Sequence, residues 1–230
     1  MAVADQEIAD ALWRSFLGRL PRDVVHELIT DGQRTDYPAG SVIYREGEAA
    51  REVLVVRGLL RVFMTSPDGR QVTVRYAREA DVLGIAVMVG GPANVRVQTI
   101  TDSSLFSIDG RRLTEAARRD ARVALALAEE LNRRLYEALQ QTAINTFGSV
   151  KQRVAAALLD LASAQQRPQD RLVAQVSQQE LADAVGSVRE VVARVLRDLR
   201  LAGIVATAPD SVVVLDAPRL QRQSWEPSAT

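Results

Sequence analysis

The sequence predicts an α+β chain: an N-terminal antiparallel β-roll (a double-stranded, jelly-roll-like barrel), a long helix, and a C-terminal winged helix-turn-helix. Three observations predict it. Residues 37–109 alternate apolar and polar side chains between glycines at 40, 47, 58, 69 and 84, the mark of short antiparallel strands. Residues 111–146 repeat apolar side chains in steps of three and four, as a helix packed along a seam does. Residues 177–200 hold two short capped helices joined by Gly186.

The expected organisation is a roll with leading helices over 1–110, a dimerisation helix and hinge over 111–147, a winged domain over 148–223, and a disordered tail from Ser224. Before the roll, Leu12, Phe16, Leu17 and Leu20, then Val24, Val25, Leu28 and Ile29, recur at helical spacing on either side of Pro21. Within the roll, Leu60, Val62 and Met64 alternate with Arg61, Phe63 and Thr65, and Val72, Val74 and Tyr76 with Thr73 and Arg75. Met64 and Met88 are expected in the core. Ser66-Pro67-Asp68-Gly69 between the two runs reads as a hairpin turn, because Pro presets φ and Gly accepts positive φ. Further strands fit Ser41–Tyr44, Val53–Val56, Val95–Thr101 and Leu105–Ile108. In the long helix Ala124, Ala128, Leu131, Leu135, Ala138 and Thr142 form a coiled-coil seam, which predicts a homodimer. Phe147-Gly148-Ser149 is the hinge.

Ser177-Gln178-Gln179-Glu180 is a capping box. The helix it starts should bury Leu181, Ala184 and Val185 and end at Gly186, where positive φ is wanted. Ser187 and Glu190 repeat the spacing and start the second helix. Its core face is Val191, Val192, Val195, Leu196 and Leu199; Gly203 ends it. Such a pair matches the DNA-binding motif whose second helix enters the major groove. The other face carries Arg189, Glu190, Arg194 and Arg197. Arg can pair bidentately with guanine, and Glu can accept from the cytosine amino group. Ile204–Ala206 and Val212–Leu215 around Pro209-Asp210-Ser211 read as a hairpin wing.

The run Gln179-Glu180-Leu181-Ala182-Asp183-Ala184-Val185-Gly186, continuing through Arg189–Leu199 to Gly203-Ile204-Val205, resembles the Crp/Fnr family of bacterial regulators. The likeness spans roughly residues 10–220 and includes the Tyr44-Arg45-Glu46-Gly47-Glu48 turn. It implies a homodimeric transcription regulator reading a palindromic, TGTGA-like site on double-stranded DNA through the helix 188–202. Arg189, Glu190 and Arg194 fall on base-reading positions, Gln178 and Gln179 near the phosphates, and Arg197 on the same helix face. The chain departs at Val188, where the family has Ser or Thr; with Ser187 one residue earlier, the helix is expected to start sooner and to lack one phosphate contact. RNA polymerase would be a partner if the protein activates.

The effector pocket departs further. Family members that bind cyclic AMP hold the ribose with a Gly-Glu pair and the phosphate with an Arg-Ser pair. Here Gly84 is followed by Ile85, and Val95-Arg96 stands at the second position. Leu135, Ala138 and Leu139 lie where the long helix meets the pocket, and Ala138 and Leu139 offer no hydroxyl to a base. A buried phosphate and ribose need polar partners, so cyclic AMP is not expected as effector. Arg96 could serve a phosphate only by a one-residue slip, which would turn it to the other strand face. Another small ligand, or no effector, remains open.

Composition excludes several classes. There is no cysteine, hence no disulfide, thiol nucleophile or cysteine-bound iron–sulfur cluster. The single histidine, His26, is expected to face solvent and rules out a cupin-type metal site. No triad or phosphate-binding glycine loop is found, so no enzyme is expected. Net charge is zero, so any DNA contact must come from local charge; this leaves open a ligand-binding module of the same fold that does not act on DNA. No secretory segment or apolar run long enough to span a bilayer is read, so a cytoplasmic protein without membrane partners is expected.

Overall fold

The computed structural model describes residues 3–48, 51–65, 67, 71–91, 95–166, 171–208 and 210–225. They divide into two compact units after Glu137.

The first unit opens with α1 (Val3–Arg14), a 3-10 turn (Phe16–Arg19) and α2 (Arg22–Ile29). The Ser15 hydroxyl caps the turn by accepting from the Leu17 amide, and Pro21 sets the entry to α2. The roll follows as β1 (Arg34–Tyr37), β2 (Val42–Tyr44), β3 (Val53–Arg57), β4 (Leu59–Thr65), β5 (Gln71–Arg78), β6 (Val82–Leu83), the short helix α3 (Ile85–Gly90), β7 (Arg96–Thr99) and β8 (Ser103–Ser107). Its two antiparallel sheets run β1-β8-β3-β6 and β2-β7-β4-β5. Gly58 joins β3 to β4 at φ 114°, and a Cβ there would lie 2.2 Å from the Ser103 Oγ. Val55, Leu60, Val62, Val97 and Leu105 fill the roll. A second apolar cluster joins α1 and α2 to Leu54, Phe106 and the helices after the roll.

The alternation predicted along β4 is not seen in its burial, since Leu59 to Phe63 are all buried. A β-bulge between Val62 and Phe63 shifts the pairing with β5, as an extra residue on one strand must. Phe63 is therefore buried, whereas Met64 and Val72, expected inside, are exposed. Arg61, expected outward, is fully buried. Its Nε donates to the Thr73 Oγ1 at 2.8 Å, its Nη1 to the Gln71 Oε1 at 2.7 Å, and its guanidinium lies 4.6 Å from the Phe63 ring centroid. Met88 packs on the second cluster as expected. Of the predicted hairpin turn, Ser66, Asp68 and Gly69 lie outside the described residues.

The helix expected to be continuous over 111–146 is two helices, α4 (Gly110–Arg119) and α5 (Ala121–Phe147). Asp120 separates them in an extended conformation, φ −129° and ψ 112°. Its amide closes α4 by donating to the Ala116 carbonyl, and its own carbonyl accepts from Val123 and Ala124 to open α5. Its side chain then accepts from the Arg122 amide at 2.9 Å. An Asp that serves α5 this way offers the chain an alternative to helix continuation.

The predicted seam is also rotated. Val123, Ala126, Leu127 and Glu130 are the buried face of α5, and Leu131 packs on the same core. Leu125, Leu135 and Leu139 are exposed, at 61%, 57% and 56%. With Ala128, Asn132 and Thr142, also exposed, they step by threes and fours. The predicted Ala124 is exposed beside Leu125, while Asn132 and Leu139 replace Leu131 and Ala138, which are half-buried, in the outward stripe.

The second unit comprises α6 (Val150–Gln165), β9 (Val173–Gln175), α7 (Gln178–Ala184), α8 (Arg189–Leu201), β10 (Val205–Ala208), β11 (Ser211–Val214) and α9 (Ala217–Trp225). Its sheet runs β10-β11-β9, with the wing between β10 and β11; of the predicted wing turn, Pro209 is outside the described residues. Val154, Leu158 and Leu159 of α6 are fully buried, where α6 meets α8, α9 and β9. Helix α9 was not predicted: Asp216 opens it by accepting from the Arg219 amide at 2.9 Å, and Ser224, expected to begin a disordered tail, is buried within it.

Candidate nucleic-acid interface

The capping box at Ser177 forms as read. The Ser177 Oγ accepts from the Glu180 amide at 3.2 Å, and the Ser177 amide donates to the Glu180 Oε2 at 2.8 Å. Hydrogen bonds to its carboxyl, first from the Ser177 amide and then from the Ser177 side chain, hold Glu180 below its ordinary pKa. Helix α7 buries Leu181, Ala182 and Val185; Ala184, expected inside, is exposed. Gly186 sits at φ 61°. The Gly186 amide donates to the Asp183 carbonyl and the Ser187 amide to the Ala182 carbonyl, at 3.3 and 2.9 Å, which together make a Schellman close.

That close corrects the reading of Ser187. Its amide ends α7, so the expected second box with Glu190 does not form. The residue before α8 is Val188, extended at φ −109° and ψ 151° with no side-chain cap. Helix α8 accordingly starts at Arg189 and not earlier. The turn is held from behind by Arg153 of α6, whose Nε donates to the Val185 carbonyl at 2.9 Å. Nothing in the sequence marked Arg153, because its partner is a backbone oxygen thirty-two residues away.

Val192, Val195, Leu196 and Leu199 are buried, so the opposite face of α8 is exposed. Arg189, Glu190, Arg194 and Arg197 all lie on it. Among the described residues none of them makes an ion pair. A groove of about 380 Å³ brings Glu190, Arg194 and Arg197 together with Gln178 of α7. It adds Arg200 and Thr207, which the sequence reading missed. Arg200 follows Arg197 by three, a spacing that could have found it; Thr207 stands on the wing, which only the fold brings near. Gln179 donates to the Asp183 Oδ1 at 2.9 Å, along its own helix.

A family model described as a Crp-like helix-turn-helix domain matches residues 152–223, and one described as a cyclic nucleotide-binding domain matches residues 34–120. The chain is 36% identical over 186 residues to the transcriptional regulator LdrP of Thermus thermophilus, covering 79% of this chain and 92% of that protein. It is 29% identical to a CRP-like cAMP-activated global transcriptional regulator of Mycobacterium tuberculosis, covering 84% of this chain and 88% of that one. The solved structure of a transcriptional regulator described as of the crp/fnr family, from Eubacterium rectale, matches with a TM-score of 0.58 at 22% identity, over 93% of this chain and 97% of that one. That match shows the fold.

The chain belongs to the Crp/Fnr family of transcription regulators. As such it is a DNA-binding regulator and not an enzyme. Among the described residues no helix is long and apolar enough to cross a membrane.

The roll is the part that matches the cyclic nucleotide-binding model, so the fit of such a ligand can be tested on this chain. Gly84 precedes α3 at φ 90°, and Ile85 is fully buried in the second apolar cluster, where a ribose would need an acceptor. Val95 packs on the core of the roll. Arg96 is on the other strand face, 6.0 Å from the Phe63 ring centroid and 3.9 Å from the Glu46 Oε2. Leu135 and Leu139 are exposed and Ala138 half-buried. These seven predicted pocket residues supply one cation, whose Nη2 lies 3.9 Å from a carboxylate and whose buried Nε has no hydrogen-bond partner among the described residues.

The arginines where α5 meets the roll, by contrast, are occupied. Arg75 Nη1 lies 3.4 Å from the Asp81 Oδ2, and Arg133 Nη2 lies 3.0 Å from the Asp81 Oδ1. Arg133 also pairs with Glu130 at 2.7 Å and with Glu137. Arg134 pairs with Glu130 at 2.8 Å and donates to the Val82 carbonyl. Three guanidiniums meet three carboxylates, and Arg75, Asp81 and Glu130 are buried. Burial alone would raise the Glu130 pKa, but hydrogen bonds from Arg133 and the charge of Arg134 hold it below the usual range. Burial, then the charge of Arg75, pulls Arg134 down. A phosphate entering here would have to displace a carboxylate. The residues present do not fit a cyclic nucleotide.

Proposed function

We propose that the protein binds an inverted repeat on double-stranded DNA as a homodimer paired along α5. Arg189 and Arg194 would read guanines and Glu190 a cytosine on the opposite strand. Gln178, Gln179, Ser187 and Val188 would lie by the phosphates, with Arg197, Arg200 and Thr207 completing the contact. The observation that carries this reading is the exposed face of α8, whose charged side chains are left without ion pairs among the described residues. Water solvates such a face well, and phosphate and base edges are what it is shaped to exchange for water.

A dimer two-fold places the two α8 helices in successive major grooves about 34 Å apart, so half-site centres fall about one helical turn apart. The half-site suggested by the resemblance is TGTGA-like. The stripe Leu125–Leu139 supports pairing along α5, with polar Asn132 as the residue that fixes its register. The roll over 1–110 would serve as sensor, 111–147 as the dimer helix and 148–223 as the DNA-binding domain. The action is cytoplasmic, with RNA polymerase as partner where the regulator activates.

Cyclic AMP is not the switch in this reading, although the named mycobacterial relative is described as cAMP-activated. The charge-balanced cluster of Arg75, Arg133 and Arg134 with Asp81, Glu130 and Glu137 would hold α5 to the roll without a ligand.

Selection of bound sequences from random DNA tests the proposal. Recovery of an inverted repeat with G·C pairs at symmetric positions is expected; recovery of an unsymmetrical site, or of no consensus, would sink it. Calorimetry with cyclic AMP should show no micromolar binding.

A further inference from the structure

A cavity of about 440 Å³ opens between α1, α2 and β8, far in sequence from the DNA-binding helices. Leu12, Val25 and Phe106 form its inner wall and Trp13, 53% exposed, stands in its lining. Every lining side chain is aliphatic or aromatic except Arg22 and His26. These two are four residues apart on α2, hence on one face, with Asp23 and Glu27 turned to the neighbouring face. Some arginines of this unit are held by carboxylates, Arg14 by Glu79, Arg19 by Glu129, Arg34 by Glu7 and Arg112 by Asp31, while others, such as Arg57 and Arg78, make no ion pair among the described residues. Among the described residues Arg22 has no such partner. Pro21 gives α2 no side-chain cap either, which leaves its first amides as further donors.

We infer that this cavity binds an amphiphile with a single carboxylate head and a medium-length alkyl tail. The apolar wall fits the tail, and a permanent cation with an imidazole and free amides at the rim fits one anionic head. At ~30 Å³ per water-sized group the cavity holds about fifteen such groups, which matches a carboxylate of ten to fourteen carbons. Leu12 and Val25 belong to the apolar cluster that also buries Val123 and Leu127 of α5. A ligand bound to the folded unit therefore stabilises the packing that anchors α5. The inference does not depend on the DNA reading.

Sodium dodecanoate, below its micelle concentration, is the probe, on the full chain carrying Trp225→Phe. The sequence has two tryptophans, so Trp13 is then the sole indole. A saturable change in Trp13 emission at micromolar dodecanoate, with a rise in Tm, is expected. Dodecyltrimethylammonium should give neither, and dodecanol should bind at least tenfold more weakly. Arg22→Gln should abolish the preference for dodecanoate over dodecanol without altering dodecanol binding. Ala9→Leu, which shrinks the cavity, should weaken both. An equal response to the cationic and anionic amphiphiles, no saturable response, or full dodecanoate affinity in Arg22→Gln would each overturn the assignment.

Discussion

Helices α5 and α8 both carry several arginines with acidic residues among them, yet the two sets of charges live differently. On α5, Arg133 is shared among Asp81, Glu130 and Glu137, and Arg134 is bound to Glu130. On α8, Glu190 precedes Arg194 by four residues, but no ion pair forms between them. The difference is solvent. Glu130 is 3% exposed, and a charge taken out of water needs an opposite charge beside it. The α8 side chains stand in water, where such a pair is worth only about 0.3–0.5 kcal/mol and leaves the arginines free to meet a nucleic acid. Paired arginines hold a fold; unpaired ones are available for function.

The largest effect should come from the seam that α5 offers to a second copy. Leu135→Glu with Leu139→Glu should yield monomers by light scattering and lower affinity for the inverted repeat by roughly 10²–10⁴, the avidity that two linked sites gain. A double variant that stays dimeric would place the interface elsewhere.

Glu130→Ala leaves the buried Arg134 without its carboxylate and should cost about 3–5 kcal/mol, read as urea unfolding of the N-terminal unit with the winged domain unchanged. The pH dependence of the wild type follows the same group. Because Glu130 is held low in the folded state, its contribution is present above the unfolded carboxylate pKa and lost as the pH falls through the folded value. Glu52 runs the other way: burial, reinforced by the charge of Asp109 and opposed by backbone hydrogen bonds, raises it. Its contribution is present at low pH and is lost as the pH rises through the raised value. Glu130→Gln should therefore flatten the acid limb of the stability curve and Glu52→Gln the limb above it. Unchanged limbs would show that other groups set them.

Arg189→Ala should cost about 1–3 kcal/mol of binding and relax preference at one G·C pair per half-site. An equal loss on specific and random DNA would make Arg189 a phosphate contact instead. Arg171, exposed two residues before β9, should by contrast affect all sequences alike when changed to Ala, and lower the salt dependence.

The smallest effect is a gain. Val188 precedes α8 in an extended conformation without a side-chain cap, so Val188→Ser should stabilise the winged domain by about 0.5–1 kcal/mol. It should also add a phosphate contact; affinity for all sequences should rise slightly. No gain in Tm would mean that the serine hydroxyl is spent on water.

What the sequence determined by itself was local. The Ser177–Glu180 box, the Gly186 turn, the buried stripe Val192–Leu199 and the bare arginines opposite it are all spelled within a few residues, because capping, positive φ and helical periodicity act between near neighbours. That β3 to β5 are strands was legible for the same reason, although their burial does not alternate. The departures were set elsewhere in the chain or by competition between neighbours. Ser187 could cap α8 or close α7, and the Schellman close took it. The bulge after Val62 answers to the pairing of β4 with β5, and it decided that Phe63 and not Met64 is buried. Which stripe of α5 faces inward depends on Leu113, Val82 and Phe106 being there to meet it. Whether an arginine is paired depends on a carboxylate fifty-two residues away, as with Arg133 and Asp81. Periodicity limits the possible faces of an element, but desolvation selects among them, and only the tertiary structure says which side chains lose their water.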